Sequence, residues 1–195
     1  MPITKGHKIS ALAAALVAAV ALPSAASAAT FDTGNCPVPT LYQPFTAIGD
    51  SNSYFLAPGG DFEQAGVWST SGDAETVADA RTADWGGSTA LRLNTATATS
   101  PTFCADGTYP HLRLAAKAGR SAIALTVEAV SDGGIPVPLA TLTPSGFRSW
   151  DYSEFVPLAP AVGLSLNQFT HTKLRVRTIG DWTVDAVSID PRMGG

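Results

Sequence analysis

The chain has 195 residues, 45% of them hydrophobic and only 14% charged, with 12 basic side chains against 16 acidic ones and a formal net charge of −4. That balance argues against nucleic acid or an anionic membrane surface as a partner, since both need a positive field. The length suits one domain able to bury roughly 70% of its unfolded surface.

In chain order, the first segment reads as an export address. Lys5 and Lys8 precede the apolar run Ala11–Leu22, and Ala26-Ser27-Ala28 fits a small-residue cleavage site. Residues 1–28 are therefore expected to be a signal peptide, cut after Ala28, and the mature protein to be secreted and extracellular. The apolar run is short for a bilayer span and no second one follows, so no membrane insertion is expected after cleavage.

Residues 29–57 are rich in turn formers and hold few strand signals, which marks a short irregular extension. Cys36 and Cys104 are the only cysteines. In an oxidising compartment they are expected to form one disulfide that ties the extension to the body. The alternative, a zinc site of Cys36, Cys104, His111 and His171, lacks any C-x-x-C or H-x-x-x-H spacing.

Within the extension, TAIGDSNSY (Thr46 to Tyr54) resembles the nucleophile block of the SGNH (GDSL-type) esterases, with Ser51 as the nucleophile. Such an enzyme needs a histidine from a D-x-x-H block to take the serine proton. Thr108 and Gln168 stand three residues before His111 and His171, so that block is absent. Gly49, Asp50, Ser51 and Asn52 are all turn formers. A turn is expected here, and no catalytic residue is assigned.

From residue 58 onward the pattern is all-β. In HLRLAA, Leu112 and Leu114 share one face opposite His111 and Arg113. In AIALTVEAV, Ile123, Leu125, Val127 and Ala129 oppose Thr126 and Glu128. In TKLRVRT, Leu174 and Val176 alternate with Lys173, Arg175 and Arg177. Each is a half-buried strand. Further strands are expected at 75–81, 90–94, 137–143, 152–158 and 182–189, broken by SGD at 71–73, DWGG at 84–87, DGG at 132–134 and GD at 180–181. These spacings suggest an antiparallel sandwich.

Three landmarks then fall in a telling order: GGDFEQAGVW (59–68), GGSTALRL (86–93) and LRVRTIGDWTVDAVSID (174–190). Together they resemble the carbohydrate-binding-module jelly rolls of the galactose-binding-like superfamily. Those domains open on a Phe-Glu and a following Trp, continue with a Gly-x-x-Ser-Leu strand, and close on an aromatic-x-x-Asp-Asp-Val strand. Asp185 stands alone where two aspartates are common. The resemblance implies a jelly-roll β-sandwich over residues 58–191, with 192–195 as a tail. It also implies one structural Ca2+ held by Glu63 and Asp185, with main-chain carbonyls near 86–88 completing the shell; hard oxygen ligands of this kind suit Ca2+. By alternation alone, Asp185 shares a row with Val187 and Ile189, so it must be paired, hydrogen-bonded or metal-bound.

The aromatic residues carry any ligand-binding argument. Trp68 and Trp182 are expected in the core. Trp85 falls in a loop. Trp150 and Tyr152, two apart on a strand, would place their rings about 7 Å apart on one face. With Trp85 they are the candidate sugar-stacking residues, edged by Asp151 or Arg148; packing over the sandwich core is the plainer reading of that pair. Asp151 with Glu154, or Glu75 with Glu128, could supply the acid and base of a glycosidase, although solvated surface acids are the norm. The expectation is a secreted, non-catalytic binding protein for extracellular polysaccharide or cell-wall glycan. A structural extracellular protein and a small secreted hydrolase are the alternatives.

Overall fold

Period-two alternation governs the elements. Along one strand Leu174 and Val176 are 0% and 1% exposed, whereas Lys173 and Arg177 are open to solvent. A strand with one wet and one dry face must lie over a core. The computed structural model describes residues 39–79, 87–105, 111–131, 134–158 and 170–190. They fall in one compact unit, Phe31–Gly195.

The strands are β1 (Phe55–Leu56), β2 (Ser69–Val77), β3 (Ala90–Thr99), β4 (Phe103–Ala105), β5 (His111–Ala118) and β6 (Ala124–Val130), followed by β7 (Pro136–Leu142), β8 (Asp151–Tyr152), β9 (Val156–Pro157), β10 (Thr170–Ile179) and β11 (Asp181–Asp190). Short 3-10 turns occupy Thr46–Ile48 and Pro144–Gly146. The pairing is antiparallel throughout, in the order β7-β6-β10-β3-β11-β5-β8, with β2 on β3, β1 on β11, β4 on β10 and β9 on β5.

One bend turns this path into a sandwich. The first half of β3, Leu91–Asn94, pairs with β11, and its second half, Thr97–Thr99, pairs with β10. Thr95 between them has a φ of 50°. β2 follows the bend through a register shift between Ser71 and Asp73, where Gly72 has a φ of 86°. A Cβ on Gly72 would lie 3.0 Å from Thr95 O and from Ala96 Cα. The SGD stretch therefore bends a strand instead of ending one, and β2 begins at Ser69 rather than at 75. A glycine-centred bulge adds a residue and a kink while the ladder continues on either side. The layers on the two sides of the bend share β2 and β3. One continues through β10, β6 and β7, the other through β11, β5, β8 and β9, and β7 returns alongside β9. The result is an all-β antiparallel sandwich of jelly-roll type.

Between the layers lies a core of Leu91, Leu93, Leu112, Leu114, Leu125, Val127, Leu174, Val176, Trp182, Val184, Val187 and Ile189, joined by Trp68. Trp182 is 0% and Trp68 5% exposed, as the sequence led one to expect. Ile123 departs from its expected row. It precedes β6 at the sheet's end and is 64% exposed.

Part of the stretch read as an irregular extension is woven into the sandwich. Phe55 and Leu56 form β1 against Ile189 and Ser188 of β11, and Phe55 packs edge-on to Phe103. Phe45 and Tyr54 are buried too, 1% and 0% exposed, yet lie outside the central cluster. They cover the outer face of the β5–β11 layer. Residues 1–28, Cys36, Trp85 and residues 192–195 lie outside the described residues.

Candidate functional site

The outer face of β5 is built by alternation. His111, Arg113 and Lys117 point away from the core, which takes Leu112, Leu114 and Ala116. The N-terminal segment closes over this face. Gly49, with a φ of 83°, ends the first 3-10 turn. Asp50 then accepts the Asn52 amide at 3.0 Å and the Tyr54 hydroxyl at 2.7 Å, and pairs with Arg113 at 3.3 Å. Burial, with the bond to Asp50 second, holds the Tyr54 phenol above its ordinary value. Asp190, 1% exposed, faces His111 Nε2 at 3.1 Å. GDSNS is thus a turn whose aspartate anchors the segment. Ser51 is exposed, and its carbonyl accepts Gln43 Nε2 at 2.9 Å.

Beside this cover runs the segment from β8 to β9. Asp151, Tyr152, Glu154 and Phe155 line an open groove of about 490 Å³ on one side, shared with Arg113 and Ile48. On the other side they line a groove of about 440 Å³ against Leu142 of β7 and Phe147. Phe155 is 49% exposed. The Arg113 guanidinium lies 4.1 Å from its ring centre and the His111 ring 4.2 Å away. One part of the ring is thereby held while the rest remains open.

The sequence-derived candidates separate here. Tyr152 lines both grooves, half-buried and edge-on to Phe45 at 4.8 Å. Trp150 belongs to a different cluster. Its Nε1 donates to Asp79 Oδ1 at 3.2 Å, and Lys117, ion-paired with Asp79, lies 5.3 Å from its ring centre. Phe155 and Arg113 were missed. A single strand over 152–158 would turn Phe155 away from Tyr152; the described backbone instead breaks at 153–155 into two short strands. Pro157, near that break, was the available signal.

Glu63 and Asp185 each accept donors from the protein. Glu63 Oε1 accepts the amides of Ser88 and Thr89 at 2.6 and 2.7 Å and the Thr89 hydroxyl at 2.9 Å, while Oε2 accepts the Ser88 hydroxyl at 3.0 Å. The amides of Thr89 and then Ser88 hold its pKa below the usual carboxylate value. Asp185 does not share a row with Val187 and Ile189. A register shift between Asp185 and Ser188, with Ala186 at a φ of 48°, turns Val184, Val187 and Ile189 into the core and Asp185 to the outer face. It is nevertheless 4% exposed, and accepts the Ala186 amide at 2.7 Å. The bulge is held by the 57–60 turn, through Ala57 N to Val187 O at 2.9 Å and Val187 N to Gly60 O at 3.0 Å. A Cβ on Gly60 would come within 2.8 Å of Val187 O, so the glycine landmark serves this close approach.

The groups converging on Glu63 are N–H and O–H donors, which partner its carboxylate charge. Among the described residues no cluster of three or more His, Cys, Asp or Glu side chains could hold a metal ion. The described donors fit Glu63 as a clamp on the 88–89 turn. Two outcomes separate clamp from cation. A depressed carboxylate pKa contributes stability that is present above the ordinary value, near 4.3, and is lost as pH falls through the folded value. Acid unfolding of Glu63→Gln is expected to lose that part of the pH dependence. A rise in melting temperature on adding Ca2+ to chelator-treated protein, abolished by Asp185→Asn, would instead assign an ion to Glu63 and Asp185.

No family model and no curated protein sequence matches the chain. Among solved structures, the carbohydrate-binding module TmCBM61 in complex with β-1,4-galactotriose aligns at a TM-score of 0.44 and 13% identity, covering 68% of this chain and 93% of that one. The CBM22-1 xylan-binding domain of Paenibacillus barcinonensis Xyn10C aligns at 0.43 and 13%, covering 69% and 94%. The enzymatically active domain of bacteriophage CBA120 tailspike protein 4 aligns at 0.44 and 16%, covering 68% of this chain but only 20% of that one. The jelly-roll assignment stands on this chain's own strand order.

Proposed function

We propose that the protein is a non-catalytic module that binds a short stretch of extracellular glycan in the groove along Asp151–Val156. The observation that carries this reading is Phe155, a half-exposed aromatic ring backed by Arg113 and His111 at a groove edge. A ring already held in place loses little freedom when a sugar's apolar C–H face covers it. Tyr152 extends the apolar strip. Asp151, Glu154 and Arg113 supply acceptors and donors for hydroxyl groups, the few convergent polar groups that a ligand site uses for orientation.

A glycan array probed with the labelled full chain tests this. Binding to one glycan class is expected, with Phe155→Ala raising Kd at least tenfold, a loss of about 1.4 kcal/mol. Because Phe155 is half-exposed, the melting temperature should change little. Unaltered binding by the variant would remove the groove from the reading. Release of reducing ends that Asp151→Asn or Glu154→Gln abolished would convert the protein into a glycosidase.

A structural role without a small ligand has one observation in its favour. Trp150 and Tyr152 already make ring contacts within the protein, to Lys117 and Phe45. An array without any bound glycan would decide for that role.

A further inference from the structure

The outer face of the β10-containing layer is cationic in a chain that is acidic overall. Alternation along β10 sends Lys173, Arg175 and Arg177 to the same side, opposite buried Leu174 and Val176. Same-side residues of a strand lie about 7 Å apart, so the three charges form a row about 14 Å long. The register sets Thr99 and Thr97 of β3 beside Arg175 and Arg177, with Ser69 and Ser71 of β2 beyond them. On the other flank stand Glu128 and Thr126 of β6, with Thr141 of β7 next to Thr126. None of these positions is aromatic.

Glu128 is the one acid in this group, and its side chain is only 4% exposed. Arg175 Nε lies 2.5 Å from one of its oxygens and Arg177 Nη2 3.7 Å from the other. A single buried carboxylate thus orients the Arg175 guanidinium and lies within ion-pair reach of Arg177, yet 30% of the Arg175 side chain and 56% of the Arg177 side chain stay open to solvent. Lys173 is exposed beside them. Three cations against one acid leave the row net positive. Side chains oriented in advance surrender less entropy when a partner binds.

We propose that this face binds a linear acidic polysaccharide, whose carboxylate or sulfate groups lie along Lys173, Arg175 and Arg177. Guanidinium forks match planar oxyanions in geometry and charge. The flanking serine and threonine hydroxyls suit the hydroxyl groups between the charges of such a polymer. Single-stranded nucleic acid is disfavoured because its proteins stack bases on aromatic side chains, and the row offers none. The surface uses residues separate from the Asp151–Val156 groove, and the two bindings are read by different variants.

The test is calorimetric titration of the full chain with polygalacturonate and with dextran sulfate, alongside neutral dextran and single-stranded DNA. Binding to one or both acidic polymers but not to dextran is expected, and the pattern tells carboxylate from sulfate. At the nucleic-acid slope of about −0.7 to −0.9 per charge contact, an upper bound for a less densely charged polymer, three contacts predict a loss of affinity of up to roughly twenty- to fortyfold between 50 and 200 mM salt. Lys173→Gln, a change on an exposed side chain, should reduce that loss, its bound falling to roughly seven- to twelvefold, as two contacts require. Arg175→Gln alone would strand the Glu128 charge and risks unfolding, so it is combined with Glu128→Gln. This pair should also weaken binding while the melting temperature stays measurable. Equal binding of neutral dextran, DNA bound as tightly as the acidic polymers, or a salt dependence unchanged by Lys173→Gln would each overturn the proposal.

Discussion

Arg113→Ala is expected to lower folding stability by about 2–4 kcal/mol, somewhat less than the roughly 3–5 kcal/mol of stripping one member from a fully buried ion pair, because this pair is largely but not wholly enclosed. The Arg113 and Asp50 side chains are 13% and 8% exposed. Removal of the guanidinium leaves the Asp50 charge enclosed, and also takes away its contacts with the Phe155 and Phe45 rings, 4.1 and 5.6 Å from the ring centres. Because Asp50 anchors the turn that brings Tyr54 down onto the sheet, the loss should spread through the N-terminal segment as faster amide exchange at residues 42–54. Asp50→Asn removes the charge but keeps the shape, so it should cost less. A double-mutant cycle by urea denaturation should show a coupling of about 0.5–3 kcal/mol between the two positions. A loss below about 0.5 kcal/mol in Arg113→Ala, the range of ordinary surface changes, would mean that the pair does not hold the segment.

The same cluster makes a pH prediction. Tyr54 keeps its proton in the folded state at pH values where the unfolded chain has lost it. Its contribution is therefore complete below about pH 10, the unperturbed tyrosine value, and falls as pH rises beyond that point. Tyr54→Phe should flatten this alkaline limb, at the cost of the hydroxyl's bond to a charged acceptor, about 1.5–3 kcal/mol at neutral pH.

Cys104→Ser is expected to cost about 2–5 kcal/mol, on the proposal that Cys104 is bonded to Cys36. In the chain-entropy account, a loop of roughly 70 residues yields about 4 kcal/mol. Cys104 lies in β4, opposite His171 of β10, and no free thiol occurs among the described residues. The bond would anchor the segment preceding Leu41 to the β4–β10 pair. Mass spectrometry of the non-reduced protein should find a Cys36–Cys104 cross-linked peptide. Two alkylatable thiols under oxidising conditions would eliminate both the bond and the expected loss.

Strands with one wet face were legible from sequence. In β5, β6 and β10 the buried and exposed residues alternate, because one side meets the core and the other meets side chains or solvent. From that alternation followed the all-β class and the same-side row of Lys173, Arg175 and Arg177, while the core placement of Trp68 and Trp182 followed from the size of their apolar rings. In β11 alternation could not place the side chains. Nine of its ten residues are buried, so both faces look alike in composition, and a bulge at Asp185–Ser188 reverses the row that strict alternation would continue. Gly72 shows the same limit: a glycine between Ser and Asp is the mark of a turn and equally of a bulge, and only pairing with Thr97 and Asn94 on either side distinguishes them. The groove was legible in part, since Tyr152 could be named from its neighbours in the chain. Arg113 and Ile48 reach that groove from β5 and the N-terminal segment, and Phe155 faces it because the backbone breaks between β8 and β9. Local sequence determines which side of a strand is dry. Which distant strand supplies the other wall depends on register and bulges, whose energies belong to pairs of segments and not to either one alone.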